Sequence, residues 1–360
     1  MLAAGLALTV AAPAVRADEP LPVHVGGRVI RDADGAMRFG WPGVYFEGRF
    51  RGEAVRVRFE APVGGMRLLL DGQERAVFRQ AGTVDLTLTD MAEGEHVIRL
   101  EKQGESQTGG GRFIGFDVLG EGRALPVAAR SRQIEFIGDS YTVGYGNSAR
   151  SRTCTPDEIA ATTDTQSAFG PRVARHFDAD YRINAYSGFG VVRNYDGGVR
   201  DLSLPALYAR LKPDAADQLD GEPGDWRPQV MVINLGTNDF STPLHADERW
   251  ADEPALRAAY RERYVAFLAE LAGRQPQARF ILMGGDAFAG DVAQVAEAVN
   301  RVTPGLATVL PFGGLDLQGC DWHPSLADEV VLADLISAEI ERRALFGSSE
   351  AGRQGMTGSR

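Results

Sequence analysis

The sequence predicts two domains, an N-terminal antiparallel β-sandwich of jelly-roll type over residues 18–125 and an α/β/α domain with a central parallel sheet over 132–345. Three observations predict this. The chain has 360 residues, about twice the usual single-domain size. From about residue 22 to 120, apolar side chains recur with period two and helical periodicity is absent. After the polar stretch Glu121 to Arg132, the pattern changes to apolar strand, loop and amphipathic helix, repeated.

Taken in order, Leu2 to Val15 is apolar but too short to span a bilayer, and Val15-Arg16-Ala17 precedes the polar Asp18-Glu19-Pro20. This reads as a signal peptide over 1–17, cut after Ala17, although its basic first segment is missing; a short core helix is the alternative. In the sandwich, Val55, Val57 and Phe59 alternate with Arg56, Arg58 and Glu60, and Ile98 and Leu100 with Arg99 and Glu101. Ile114, Phe116 and Val118 follow the same rule. Runs near Val23 and at Val44 to Phe50, Met66 to Leu70, Ala76 to Phe78 and Val84 to Leu88 bring the number to about eight short strands.

Past residue 132, near-continuous apolar runs at Ile134 to Ile137, Tyr181 to Ala185, Val230 to Leu235, Phe280 to Met283 and Ala307 to Leu310 mark a parallel sheet covered on both faces. A helix near 255 to 272 carries Leu256, Tyr260, Tyr264, Phe267 and Leu271 on one stripe. The last helix does the same with Leu326, Val330, Ala333, Ile336 and Ile340. Residues 346–360 have no apolar period and are expected to form a flexible tail.

The net charge is −11 and the isoelectric point near 5.1, so the chain repels phosphate backbones and anionic headgroups. Nucleic-acid and membrane-surface roles are disfavoured. Two distant cysteines and five scattered histidines, none of them three or four residues apart, offer no metal-ligand spacing. No metal or cofactor is expected. In an exported protein Cys154 and Cys320 are expected to pair, against the alternative of two buried thiols.

Ligands bind at the carboxyl ends of strands in an open parallel sheet, so the residues just after each strand are the candidates for chemistry. Gly138-Asp139-Ser140-Tyr141-Thr142 places Ser140 on a turn that starts a helix, where a serine can be a nucleophile or simply a helix cap. The G-x-S-x-G elbow is absent, because Thr142 replaces the second glycine. Ser187-Gly188-Phe189-Gly190 and Gly236-Thr237-Asn238-Asp239 follow the next two strands and offer the donors that an oxyanion hole requires. Gly319-Cys320-Asp321-Trp322-His323-Pro324-Ser325 puts a histidine immediately before the last helix, where a base would serve Ser140. His245 is its only competitor, since His24 and His96 lie in the sandwich and His176 ends a surface helix.

These four blocks resemble the SGNH (GDSL-type) hydrolase superfamily over about residues 132 to 345. With Val191-Val192-Arg193-Asn194-Tyr195-Asp196-Gly197, Pro205-Ala206-Leu207-Tyr208 and the N-terminal sandwich, the chain is similar to family 2 of the carbohydrate esterases, secreted deacetylases of xylan and related glycans. The resemblance implies Ser140 as nucleophile, His323 as general base, and an oxyanion hole made by the N–H groups of Ser140 and Gly188 and the side chain of Asn238, with Gly190 as the other possible glycine. One departure stands out, because the superfamily's Asp-x-x-His would need a carboxylate at 320 and Cys320 is there. Asp321 is therefore expected to complete the triad, with a backbone carbonyl as the alternative.

Tyr141, Phe189, Trp226 and Trp322 are candidate sugar platforms, or else core anchors. The function expected is a secreted or periplasmic, cofactor-free, monomeric serine esterase that removes acetyl groups from a polysaccharide or its oligosaccharides. A lipase or thioesterase on the same site and a non-catalytic glycan-binding protein are the alternatives.

Overall fold

The computed structural model describes residues 18–221 and 224–347. The expected signal peptide and the tail beyond residue 347 lie outside the described residues. Phe346, placed by the sequence in that tail, instead packs on Phe177 with ring centroids 5.2 Å apart.

Among the described residues, twelve strands between Glu19 and Leu125 form two six-stranded antiparallel sheets. Alternation works as the pattern predicts: in Val55–Ala61 the residues Val55, Val57, Phe59 and Ala61 are buried, while the arginines and glutamate between them are not. Phe46 of one sheet stacks on Phe113 of the other at 4.2 Å, which closes the sandwich. Four strands exceed the eight expected: Glu19–Pro20, Val29–Arg31, Met37–Phe39 and Arg123–Leu125. Each is too short for a period of two to register.

The second domain is built on five parallel strands, Arg132–Gly138, Ala179–Ala185, Val230–Asn234, Arg279–Gly285 and Ala307–Phe312. Their spatial order is second, first, third, fourth, fifth. The direction of winding reverses beside the first strand, and the crevice at the carboxyl ends there is where such sheets bind ligands.

Helix Glu253–Arg274 starts at Asp252, whose carboxylate accepts the Ala255 N–H at 2.9 Å, and it buries the expected stripe. The last helix, Leu326–Arg342, is turned relative to expectation. It buries Glu329, Leu332, Ala333, Ile336 and Ile340, and leaves Leu326 and Val330 exposed. Glu329, accepting the Phe169 N–H at 2.8 Å, holds the inward position that the apolar stripe assigned to Val330.

The domains share a polar seam around Arg28 of the sandwich. Its guanidinium contacts the Tyr208 carbonyl, the Arg210 carbonyl at 3.2 Å, Glu135 at 3.3 Å and Asp220 at 3.1 Å. Glu135, on the first parallel strand, also accepts from Asn184 at 2.6 Å, Tyr208 at 2.9 Å and Trp226 at 3.0 Å. Both charged groups are buried, so removing the cation strands the carboxylate. Arg28→Met should destabilise the protein by about 3–5 kcal/mol, read as a fall in the urea midpoint with the m-value unchanged.

Candidate active site

The first parallel strand ends at Gly138, and Asp139 caps a one-turn helix, Ser140–Val143, by accepting the Tyr141 N–H at 3.1 Å. Ser140 is thereby held at a helix start, where N–H groups lack intrahelical partners. Its Oγ lies 2.8 Å from His323 Nε2, across 183 residues of sequence. Nδ1 of the same ring lies 2.9 Å from the Cys320 carbonyl. A carbonyl can only accept, so Nδ1 carries the proton, Nε2 presents its lone pair, and the Ser140 hydroxyl donates to it.

The turn that carries His323 is tightly built. Asp321 and Trp322 both adopt left-handed backbone, with φ of 50° and 58°. This reverses the chain so that the Cys320 carbonyl also accepts the His323 N–H at 3.0 Å. Cys320 is fully buried and joined by a disulfide to Cys154. Its N–H donates to Gly146, and that of Asp321 to the Arg152 carbonyl at 2.7 Å.

The contact expected from Asp321 to His323 is not made. The left-handed turn swings the Asp321 carboxylate to the Tyr145 hydroxyl, 3.1 Å away, and leaves main chain behind the histidine. Burial lowers the pKa of His323 below its usual range, opposed by the hydrogen bond to Cys320 and by the nearby Asp321. The ring lies between Tyr145, at 4.3 Å, and Tyr141, edge-on at 5.7 Å.

Three strand ends converge on the serine. Tyr186, just past the second strand, donates its N–H to the Gly138 carbonyl at 3.1 Å, and Gly188 follows with φ of 82°. Among the described residues, neither the Ser140 nor the Gly188 N–H has a hydrogen-bond partner. Gly190 drops out as the alternative donor, because its N–H is given to Asn194 Oδ1 at 3.0 Å. The Asn238 amide nitrogen donates to Asp139 Oδ2 at 3.2 Å and to the Phe189 carbonyl at 3.0 Å.

Asp239 accepts the N–H groups of Val191, Val192 and Arg193 within 2.9–3.0 Å, which folds the loop after Gly188 around a buried carboxylate. Burial pushes Asp239 up to about 6, against the pull of those donors. Asp139 is pushed up to about 7, by burial first and by Asp239 as well.

Of the four expected sugar platforms, two are near the serine and accessible. Trp322 is 60% exposed, and Tyr141 lines a groove of about 310 Å³ with Asp286, Phe288 and Phe312. Phe189 is buried and packs edge-on against Tyr186, so it is core. Trp226 lies before the third strand, at the opposite end of the sheet, bonded to Glu135 and stacked under Arg182 at 4.5 Å. Sequence reasoning missed Tyr145, Glu105 and Gln107, and gave no role to Tyr195, which is 58% exposed and donates its N–H to the Gly188 carbonyl at 2.8 Å. Among the described residues no cluster of three metal-ligating side chains occurs, and no helix is long and apolar enough to cross a membrane.

A parallel sheet with a serine and a histidine paired at its carboxyl edge is the arrangement of a serine hydrolase, and the GDSL-like lipase/acylhydrolase family profile, which matches residues 136–336, gives the class. The carbohydrate esterase 2 N-terminal profile matches residues 25–127. The chain belongs to family 2 of the carbohydrate esterases. It is 43% identical over 350 residues to an acetylxylan esterase / glucomannan deacetylase of Cellvibrio japonicus, covering 95% of this chain and 97% of that one. A solved carbohydrate esterase, described as having divergent catalytic and non-catalytic binding functions at its active site, superposes with a TM-score of 0.85 at 42% identity, over 90% of this chain and 98% of that one. A family two esterase from Clostridium thermocellum, solved in complex with cellohexaose, gives 0.77 at 27% identity, over 90% and 99%.

Because the carbonyl of Cys320 and not the carboxylate of Asp321 contacts the His323 ring, Asp321→Asn should lower kcat by less than about fivefold, whereas loss of a triad carboxylate costs about 10⁴. Steady-state kinetics on an acetyl ester distinguish the two.

Proposed function

We propose that the protein removes O-acetyl groups from a β-linked plant polysaccharide such as xylan or glucomannan, by way of an acetyl-enzyme on Ser140. The observation that carries this is the Ser140 to His323 to Cys320 carbonyl relay, 2.8 and 2.9 Å long. Ser140 Oγ attacks the acetyl carbon as its proton passes to His323 Nε2. The tetrahedral oxyanion takes the N–H groups of Ser140 and Gly188, and competes with the Phe189 carbonyl for the Asn238 amide. His323 returns the proton to the departing sugar oxygen, and water repeats the sequence on the acetyl-enzyme to release acetate.

The substrate class rests on the named activity of the Cellvibrio japonicus relative and on the cellohexaose bound by the Clostridium thermocellum neighbour. Trp322, Tyr141 and Tyr195 supply the aromatic faces that sugar C–H groups pack on. Export is part of the same proposal. The apolar run Leu2 to Val15 and the disulfide between Cys154 and Cys320 support it.

Acetate release from acetylated xylan, glucomannan, chitin fragments and peptidoglycan tests the reading, with the first two expected to be turned over. Ser140→Ala should remove at least about 10³ of the rate while leaving the thermal midpoint in place. Activity within about tenfold of the parent would sink the mechanism.

The pH profile follows from the base. His323 works as the neutral imidazole, and burial lowers its pKa. Activity should therefore rise with pH through a midpoint below about 6.5, the free-histidine value, and kcat/KM against pH measures it. A midpoint above that value would mean that a carboxylate supports the ring.

A further inference from the structure

We infer that Gln107, on the sandwich loop between strands Glu95–Lys102 and Gly111–Val118, is a positioning residue for the Ser187–Gly188 peptide, so that the N-terminal domain aims an oxyanion donor built on the other domain. The inference rests on the proposed role of the Gly188 N–H.

Gln107 Nε2 donates to the Ser187 carbonyl at 2.8 Å. That carbonyl and the Gly188 N–H belong to one peptide group. The described chain has no cis peptide, so the two point in opposite directions. Fixing the oxygen from behind therefore fixes the direction of the N–H in front. The side-chain space at Gly188 does not constrain it, since a Cβ placed there would meet no atom within 4 Å and its φ of 82° is a region where glycine turns freely. The bonds from Tyr195 N–H to the Gly188 carbonyl at 2.8 Å and from Phe189 N–H to the Tyr186 carbonyl at 3.2 Å hold the next peptide group, Gly188–Phe189. A hydrogen bond accepted by a peptide carbonyl also polarises the group and strengthens its N–H as a donor.

The neighbours of Gln107 hold the same segment. Ser187 Oγ lies 2.7 and 2.8 Å from the two Glu105 oxygens, and Ser106 Oγ donates to the Ala185 carbonyl at 3.0 Å. The loop is itself fastened: buried Lys102 donates its ammonium to the Gly104 carbonyl at 2.6 Å and to that of Glu105, and Thr108 Oγ bonds the Glu105 carbonyl at 2.8 Å. Three consecutive sandwich residues thus grip the turn that carries Gly188. Gln107 is the exposed member of the three, so its replacement disturbs the packing least.

The test uses full-length Gln107→Leu and Gln107→Glu on a soluble acetyl ester, with the affinity of a boronic acid that forms a tetrahedral adduct on Ser140 as a second readout. Deleting one oxyanion donor costs about 10²–10³ in kcat, and misaiming one should cost about tenfold. Both variants are expected to lose about tenfold in kcat with KM within about twofold, and to bind the boronic acid weaker by the same factor, with the thermal midpoint unchanged. A kcat within about twofold of the parent overturns the inference, and so does a kcat loss with unchanged boronic acid affinity. Ser140→Ala separates this from the reading beneath it: if that variant stays active, the site assignment fails and the inference with it. If it is inactive while Gln107→Leu is normal, only the positioning role falls.

Discussion

The Cys320 carbonyl is the constraint around which this site is organised. It has no charge and no proton, yet it decides which nitrogen of His323 is free, because an acceptor-only group must be met by N–H. The disulfide to Cys154, the two left-handed residues and the bonds to Gly146 and Arg152 all fix the main chain on either side of that one oxygen. A carboxylate in its place would fix the same tautomer and also stabilise the imidazolium. Here the charge is missing, and the direction of the His323 shift agrees, since burial outweighs the groups that favour protonation. In the proposed reaction the base is thus weaker than in a full triad but free at lower pH.

The sequence was legible where a side chain's place follows from its distance to a strand end. Ser140, Gly188 and Asn238 each stand just past a parallel strand, and the sheet brings those ends together. Trp226 fails by the same logic, since it precedes the strand Val230–Asn234 and so falls at the amino end. Asp321 was illegible for another reason. Its distance from His323 is short in sequence, but only the sign of φ at 321 and 322 says which way the carboxylate points. Val330 shows a third limit: hydropathy ranks it above Glu329, and one backbone N–H, that of Phe169, reverses the order. Contacts between domains left no local pattern at all, so nothing in the sequence around Glu105 and Gln107 marked them.

The site gathers more buried charge than its chemistry directly uses. Asp139 orients Asn238 from below, and Asp239 gathers three N–H groups of the loop that begins at Gly188. Burial raises both carboxylates by loss of hydration, and the nearby Asp239 raises Asp139 further. Such an arrangement persists only when the hydrogen bonds that oppose it are all made. Gly190 is required here, because a side chain on it would occupy the space of the Asp239 carboxylate and the Arg193 carbonyl. The glycines of this block therefore have different duties, one leaving an N–H open and the other letting the backbone close on a carboxylate.

A difference in commitment among the three proposed oxyanion donors bears on how the site would discriminate between states. The N–H groups of Ser140 and Gly188 have no protein partner among the described residues, whereas the Asn238 amide is bonded to the Phe189 carbonyl. A neutral ester carbonyl offers Asn238 little more than Phe189 already does. A full negative charge offers more, because hydrogen bonds to ions are roughly twice as strong as neutral ones. In the proposed mechanism the amide would then leave Phe189 only as charge develops, and its contribution would be larger in the transition state than in the bound substrate. Interactions of that kind raise kcat without tightening ground-state binding. Preorganised N–H groups fixed by the fold and one exchangeable amide would share the work, and the fixed pair depends on how firmly the peptide at Ser187–Gly188 is held.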